Sequence, residues 1–511
     1  MTLTRRELLY YASSLAVLPA LGCRVNTVPK FTRDPFTLGI ASGDPLSDSV
    51  VLWTRLALDP LADGGGMRPE AVPVRWEIAK DESMREIVKH GTVTARPESA
   101  HAVHVDVRGL EPARTYFYRF MSGDAQTPVG RTRTAPRAHV SPERLRFAFA
   151  SCQRWEDGYF TAYDHMVRED LDFVIHLGDY IYEYGTPNKP GIRPLVDHEI
   201  TTVDDYRRRY ALYRTDPSLR AAHQHFPFII TWDDHEVDND YASDRPEDTQ
   251  TREAFLKRRA AAYRAYYEHM PLRAAARPEG SDMVLYREVP FGALASFLVL
   301  DTRQFRTDQP CEKTRAPLCA AALDPAATIT GAAQERWMLN RLDRSPARWN
   351  VLAQQVLMAD VDLAEGDARE FSMDKWAGYQ ANSRRVHSFL ATRKPSNPIV
   401  LTGDIHSNWV CDLKADYNNP QSAIVGTEFV GSSISTGGDG IDTPERARWV
   451  LRENPHVHLL NSQRGYVSCT VTADRWQSDY RIVPFVTRPD APITTRASFV
   501  VENGRPGAQR A

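Results

Sequence analysis

The sequence lacks an excess of charge of either sign. Its 511 residues include 63 lysines and arginines and 66 aspartates and glutamates, which gives a formal net charge of -3. No basic field is available to attract nucleic acid, and no acidic tail is present, so we expect no nucleic-acid binding. Internal repeats and low-complexity tracts are also lacking, and the length favours two domains over one.

The sequence has only a short apolar stretch near its N-terminus. Residues 15–21 are too few to span a bilayer and are typical of the hydrophobic part of a signal peptide. They follow residues 4–9, where Arg5 and Arg6 precede two leucines, and together these segments resemble a twin-arginine export signal. We therefore interpret residues 1–30 as an export signal and short linker, and we expect the mature protein in the periplasm or outside the cell.

A lipid anchor at Cys23 stays open. Residues 20–23 loosely resemble a lipoprotein cleavage site, but small residues before a signal cleavage point give the same pattern without lipidation. Such an anchor is the only attachment to a membrane that we expect.

Cysteine is scarce. An exported protein can form disulfides, and Cys311 and Cys319 are the best local pair because a turn-rich loop separates them. The sequence does not fix the connectivity of the six cysteines, which are Cys23, Cys152, Cys311, Cys319, Cys411 and Cys469.

Two patterns divide the rest of the chain. Between residues 36 and 134, short segments alternate apolar and polar residues, and residues 110–118 resemble the turn and strand of a fibronectin-type sandwich. We predict a structural all-β domain over 31–138, with strands at 49–55, 72–78, 102–107 and 115–120. After a proline-containing linker, apolar strands alternate with helical stretches, which indicates an α/β domain over 139–511.

Polar side chains follow four of the strands predicted in the α/β domain. The strands cover residues 145–150, 172–177, 228–232 and 399–402, and the side chains are Cys152, Asp179, Tyr182, Asp234, His235, Asp404 and His406. Each cluster alone is also typical of a helix cap or a solvated loop, and Cys152 alone is typical of a small core residue. Four clusters at strand ends, where α/β sheets bind ligands, favour a shared metal site.

The order of these clusters resembles that of the calcineurin-like metallophosphoesterases. Cys152 stands in place of the first aspartate, Tyr182 is added, Asp234 replaces an asparagine and Asp404 replaces a histidine. These departures resemble the PhoD family of exported alkaline phosphatases and phosphodiesterases, and the likeness continues at 38–45, 51–55, 300–305, 426–433 and 463–466. The resemblance implies an α/β fold, with a calcineurin-like metallophosphoesterase β-sandwich flanked by helices and preceded by the N-terminal fibronectin-like all-β domain.

The ligand types favour hard cations. The thiolate, carboxylate, phenolate and imidazole of one set suit Fe³⁺, whereas the carboxylates of a second set suit Ca²⁺. The first set is Cys152, Asp179, Tyr182 and His406, and the second is Asp179, Asp234 and Asp404. The resemblance implies the same division, with Fe³⁺ and one or two Ca²⁺ sharing Asp179. From the residues alone, Mn²⁺ and Zn²⁺ stay open.

The resemblance implies an exported, metal-dependent phosphoesterase of the PhoD type. It would hydrolyse phosphate monoesters, diesters or both by attack of a metal-bound hydroxide or oxide on phosphorus. His235 occupies the place where the superfamily keeps a proton donor, and its alternative role is that of a further metal ligand. The expected substrate is a small-molecule, lipid or polymer phosphate ester, and we expect a monomer.

Three other functions stay open. A phospholipase D-like phosphodiesterase would use the same metal chemistry, and a non-catalytic surface lipoprotein would bind a partner through the β-sandwich. A metal-free hydrolase would use Cys152 as nucleophile and His235 as its base. We interpret Arg303 and Arg464 as structural ion-pair residues rather than phosphate ligands. Ala377 stands where the family usually has aspartate, which predicts an altered specificity if that position shapes the substrate pocket.

Overall fold

The computed structural model describes residues 29–186, 191–195, 197–312 and 314–511. The predicted export signal and Cys23 lie outside these residues. Within the described part of the chain, no helix combines the length and the apolar character needed to cross a bilayer.

The described residues form seven α-helices and 24 strands. The helices are α1 (Thr161–Met166), α2 (Val203–Arg214), α3 (Pro217–His225), α4 (Arg252–His269), α5 (Gly331–Arg344), α6 (Gln380–Arg393) and α7 (Ala447–Glu453). The strands are β1 (Ile40–Gly43), β2 (Ser49–Arg55), β3 (Val72–Ala79), β4 (Ile87–Ala95), β5 (Ala102–Arg108), β6 (Thr115–Ser122), β7 (Ala125–Gln126), β8 (Gly130–Arg133), β9 (Leu145–Ala150), β10 (Phe173–His176), β11 (Pro227–Ile230), β12 (Arg287–Phe291), β13 (Ala295–Val299), β14 (Arg315–Ala316), β15 (Trp349–Ala353), β16 (Phe371–Ser372), β17 (Pro398–Thr402), β18 (Asn408–Lys414), β19 (Ile424–Val430), β20 (Val457–Asn461), β21 (Arg464–Val471), β22 (Arg475–Val483), β23 (Thr494–Glu502) and β24 (Arg505–Arg510).

Two large sheets form the centre of the molecule. The first has ten strands in the order β24-β23-β22-β21-β9-β10-β11-β1-β2-β5, and the second has seven in the order β12-β13-β15-β17-β19-β18-β20. β9, β10 and β11 run parallel, as do β13, β15, β17 and β19. The strands predicted at 145–150, 172–177, 228–232 and 399–402 are β9, β10, β11 and β17, so these predictions are confirmed to within two residues at each end.

The two sheets face each other across one apolar core, and helices cover their outer faces. In β10, Phe173 and Ile175 enter the core between the sheets, whereas Val174 packs on the helical side. A strand that is buried on both faces needs apolar residues on both, which explains the apolar run of Phe173, Val174 and Ile175 before His176. This arrangement confirms the predicted β-sandwich flanked by helices.

The N-terminal strands build a β-sandwich that shares a sheet with the larger part of the chain. β1 pairs in parallel with β11, so β1, β2 and β5 extend the ten-stranded sheet. They face the sheet of β3, β4, β6, β7 and β8 across an apolar core that includes Val50, Leu52, Ile78 and Tyr118. The strands predicted for this region are present, and the domain boundary after residue 138 stays a prediction.

One disulfide joins Cys311 to Cys319, with a sulfur–sulfur distance of 2.07 Å. This confirms the local pair predicted from the sequence. Cys152, Cys411 and Cys469 are buried free thiols.

Candidate metal centre

The predicted ligands meet at the edge where strand ends of both large sheets come together. β9, β10 and β11 lie side by side and lead into Cys152, Asp179 and Asp234. β17 of the facing sheet leads into Asp404 and His406. Parallel strands end at the same edge, so side chains far apart in the sequence share one space.

Four of these residues have a left-handed backbone. The angle φ is 58° at Cys152, 55° at Asp179, 61° at Asp404 and 52° at His406. Residues other than glycine adopt this region at a cost of about 1–3 kcal/mol each, and such strain concentrates at functional sites. The strand ends therefore turn sharply at the positions that carry these predicted ligands.

Three groups of possible ligand atoms are linked through shared members. Within each group the atoms lie within 4.8 Å of one another. Asp179 belongs to the first two groups and Asp234 to the last two, so the groups form one continuous centre. The groups are Cys152, Asp179 and His406; Asp179, Asp234 and His235; and Asp233, Asp234 and Asp404.

Tyr182 completes the first group. Its hydroxyl donates to Asp179 Oδ2 at 3.0 Å and lies 3.2 Å from His406 Nε2. Thr436 Oγ1 lies 2.9 Å from the same hydroxyl. The tyrosine predicted as an iron ligand is therefore placed between two other predicted ligands.

Buried oxygens without partners fit the binding of cations. Asp179 Oδ1 and Asp233 Oδ2 are buried and have no hydrogen-bond partner among the described residues. A buried carboxylate oxygen left unpaired is costly, and a cation is a suitable partner for it. Together with the thiol, phenol and imidazole groups, these carboxylates make a donor set that fits resident metal ions.

Burial raises the pKa values of three acidic groups of the centre in the protein alone. Burial raises the pKa of Asp179 to about 7 against the opposing charge of His235. Burial, followed by the charge of Asp179, raises the pKa values of the Cys152 thiol and the Tyr182 phenol well above their usual ranges. Bound cations would reverse these shifts because they favour the anionic ligands.

His235 is held by Glu183, a residue that the sequence analysis missed. His235 Nδ1 lies 2.8 Å from Glu183 Oε2, and its ring lies 4.1 Å from the ring of Tyr182. Burial lowers the pKa of His235, but the charges of Glu183, Asp179 and Asp234 outweigh it and raise the pKa well above the usual range. The position of His235 is compatible with both roles predicted for it, a proton donor and a metal ligand.

Two cationic side chains lie among the carboxylates. Arg303 is fully buried, and its guanidinium contacts Asp233, Asp374 at 2.9 Å and Asp404 at 3.1 Å. The Lys375 ammonium contacts Asp404 and lies 2.9 Å from Asp374 Oδ2. Arg303 therefore forms ion pairs, as expected. Lys375, Asp374 and Asp233 were not predicted, although the last directly precedes the predicted ligand Asp234.

Arg464 differs from the sequence-based expectation. Arg464 donates to the main-chain oxygens of His406 at 2.8 Å and Gly438 at 2.7 Å, so its interpretation as an ion-pair residue is wrong. It fixes the backbone of the predicted ligand His406 instead. Ala377 is buried in a small apolar cluster with Phe371 and Met373 beside the disulfide, and its effect on specificity stays a prediction.

Comparison with known proteins identifies the family. The family described as PhoD-like phosphatase matches residues 147–480, and its N-terminal domain matches residues 22–136. The chain belongs to the PhoD-like phosphatase family. It is 52% identical over 502 residues to alkaline phosphatase D of Bacillus subtilis (strain 168), and the alignment covers 97% of this chain and 86% of that relative. The match to a solved structure of PhoD, also 52% identical, covers 94% of this chain and 93% of that chain and has a TM-score of 0.92.

As a PhoD-like phosphatase, the protein is a phosphoric ester hydrolase, and the hypothesis of a non-catalytic protein is wrong. Two contacts also argue against the hypothesis of a metal-free cysteine hydrolase. Cys152 Sγ donates to Ser151 Oγ at 3.2 Å, and the bond of His235 Nδ1 goes to Glu183. The individual roles of the metal-centre residues stay predictions.

Proposed function

We propose that this PhoD-like phosphatase is an exported, metal-dependent phosphoesterase that hydrolyses phosphate monoesters, diesters or both. One observation carries the proposal: Asp179 is shared by two groups of ligand atoms that differ in chemistry. One group adds a thiol and an imidazole, and the other adds a carboxylate and His235. A bridging carboxylate between unlike ligand sets suits a centre of two different metals.

The ligand chemistry supports Fe³⁺ on the side of Cys152, Tyr182 and His406, and one or two Ca²⁺ on the side of Asp234 and Asp404. When bound, these cations would supply charge neutralisation at the phosphoryl group and lower the pKa of bound water. Asp179 would join the two sides. Manganese and zinc are the alternatives that metal analysis must separate.

His235 is the proposed proton donor to the leaving oxygen. Because Nδ1 is held by Glu183, Nε2 is the nitrogen that carries the transferable proton. The rings of Tyr182 and Tyr184 lie 4.1 and 5.2 Å from that of His235 and restrict its orientation. These contacts hold the imidazole in one place for proton transfer.

We propose that the protein acts as a monomer after export by the twin-arginine pathway, with Cys23 as an optional lipid anchor. The substrate is a small-molecule, lipid or polymer phosphate ester, and no nucleic-acid partner is expected. Rates on p-nitrophenyl phosphate, a bis-ester and a phospholipid separate phosphatase from phospholipase D-like activity. Refusal of both diesters would exclude the phospholipase function.

Metal analysis tests the proposal. Protein purified without added metal is expected to contain iron and calcium, to show a tyrosinate-to-iron absorption band, and to lose activity in EGTA until calcium is restored. Asp179→Asn should lower kcat by more than about 1,000-fold and reduce both metals, because it weakens the shared ligand. Asp164→Asn, on the first helix outside the centre, is the matched control and should change neither. Full activity of iron-free, chelator-treated protein would refute the proposal.

A further inference from the structure

Arg154 lies on the loop that carries the first ligand. It follows Cys152 by two residues, and its backbone N–H donates to Thr436 Oγ1 at 3.0 Å. The same Thr436 oxygen lies 2.7 Å from the Cys152 main-chain oxygen and 2.9 Å from the Tyr182 hydroxyl. These bonds fix the backbone of Arg154 relative to the metal centre.

The guanidinium of Arg154 lies over aromatic rings that border His235. Its central carbon is 5.6 Å from the ring centre of Tyr182 and 5.0 Å from that of Tyr184. Both tyrosine rings contact the ring of His235. A cation over an aromatic face is stabilised there, so the positive charge is held beside the proposed proton donor.

The hydrogen bonds of Arg154 leave one edge of the guanidinium open. Nε donates to Glu156 Oε1 at 2.6 Å, and Asp157 Oδ1 lies 3.9 Å from the same nitrogen. Within the described residues, Nη1 and Nη2 donate no hydrogen bond, and 23% of the side chain is exposed. In Arg303 and Arg464, by contrast, Nε, Nη1 and Nη2 all donate to protein oxygens.

We propose that Arg154 is a substrate-binding residue that donates from Nη1 and Nη2 to non-bridging oxygens of the phosphoryl group. An arginine with a fixed Nε edge and a free Nη edge is preorganised for bidentate phosphate binding. Its charge favours dianionic monoesters over monoanionic diesters because the Coulomb attraction grows with the charge of the ester. This inference rests on the proposed function, which places the phosphoryl group at the metal centre.

The test compares Arg154→Ala and Arg154→Lys with the wild type in the metal-loaded, full-length mature protein. Above about pH 8, p-nitrophenyl phosphate and inorganic phosphate are dianions. Arg154→Ala is expected to raise the KM of the monoester and the Ki of inorganic phosphate about 10- to 100-fold. For bis(p-nitrophenyl) phosphate, the KM as a substrate, or the Ki if it acts only as an inhibitor, should rise about 3-fold. Arg154→Lys should recover part of the loss because it keeps the charge but not the fork.

Metal content and a control variant complete the test. Elemental analysis should find the same iron and calcium in both Arg154 variants, and Arg168→Ala, an exposed arginine outside the centre, should leave all constants unchanged. Equal effects on monoester and diester, an unchanged phosphate Ki, or loss of metal in Arg154→Ala would each overturn the inference. If wild-type activity instead survives complete metal removal, the proposed function fails. The effects of the Arg154 variants on the monoester KM and on the phosphate Ki still test the role of Arg154.

Discussion

The pair of Glu183 and His235 shows how one side chain sets the chemistry of another. Glu183 is buried, accepts a hydrogen bond from the backbone N–H of Asn239 at 2.9 Å through Oε1, and holds His235 through Oε2. It therefore fixes which nitrogen of the imidazole faces the centre and raises the affinity of His235 for its proton.

We predict that Glu183→Gln shifts the alkaline limb of the pH–rate profile to lower pH. Glu183 raises the pKa of His235, so its neutral replacement lowers that pKa, and the acid form is lost earlier as the pH rises. Glutamine keeps a side-chain oxygen that can accept the hydrogen bond from the Asn239 backbone N–H. The profile of kcat on p-nitrophenyl phosphate between about pH 6 and 10 measures the shift. An unchanged alkaline limb, with metal content intact, would contradict the role of His235 as the acid.

At the residue scale, the sequence predicted ligands but not the residues that support them. Cys152, Asp179, Tyr182, Asp234, Asp404 and His406 follow apolar strands, and that local signal identifies them. Glu183, Lys375 and Arg464 carry no such signal. The contacts of Glu183 with His235 and of Arg464 with His406 join residues 52 and 58 positions apart, and Lys375 contacts Asp404 from a loop whose course is set by the tertiary fold. Of the three, Glu183 is the one that its position in the sequence could have suggested, because it directly follows the predicted ligand Tyr182.

At the scale of elements, the turn after β10 allows two strand ends to approach each other. Gly178 has φ of 110°, and a Cβ added there would lie 2.5 Å from Asp233 Cβ and 2.5 Å from the Asp233 backbone nitrogen. The turn that places Asp179 therefore depends on the missing side chain.

We predict that Gly178→Ala lowers the free energy of unfolding by about 3 kcal/mol and reduces metal content, since both strain and overlap must be relieved by moving the strand end. Gly280→Ala is the matched control: its φ is 64°, but nothing lies within 4 Å of an added Cβ. It should cost about 1 kcal/mol from backbone strain alone, with metal content unchanged. Urea unfolding and elemental analysis measure both variants, and equal losses would show that the approach to Asp233 is unimportant.

The elements themselves were more predictable than their partners. β9, β10, β11 and β17 are almost entirely buried, so their largely apolar sequences reveal them to within two residues. The pairing of β1 with β11 joins strands more than 180 residues apart and leaves no periodicity in the sequence. The sequence therefore predicted an N-terminal sandwich, but not the ten-stranded sheet that this sandwich shares with the rest of the chain.

At the scale of the whole molecule, the N-terminal strands protect the central sheet. β1 covers the edge of β11, and Trp53 Nε1 donates to the main-chain oxygen of Glu268 at 3.1 Å across the same junction. An uncovered strand edge offers unpaired N–H and C=O groups to other chains.

We predict that a chain starting at residue 139 aggregates or unfolds at lower temperature than the chain starting at residue 31. Removal of β1 exposes the edge of β11 and the apolar surface around it. Size-exclusion chromatography and thermal unfolding compare the two proteins, and the longer one serves as the control. A monomeric shorter protein with unchanged stability and activity would show that residues 139–511 fold independently.

The position of β9 in the ten-stranded sheet also sets an order of events during synthesis. β9 leads into Cys152, yet it lies between β10 and β21, and β21 ends at Val471. His406, which shares a ligand group with Cys152, is made 254 residues later (406 minus 152). Nearly the whole chain must therefore be synthesised before the centre can close, so any metal that it binds would be loaded into the finished polypeptide and not into the growing one.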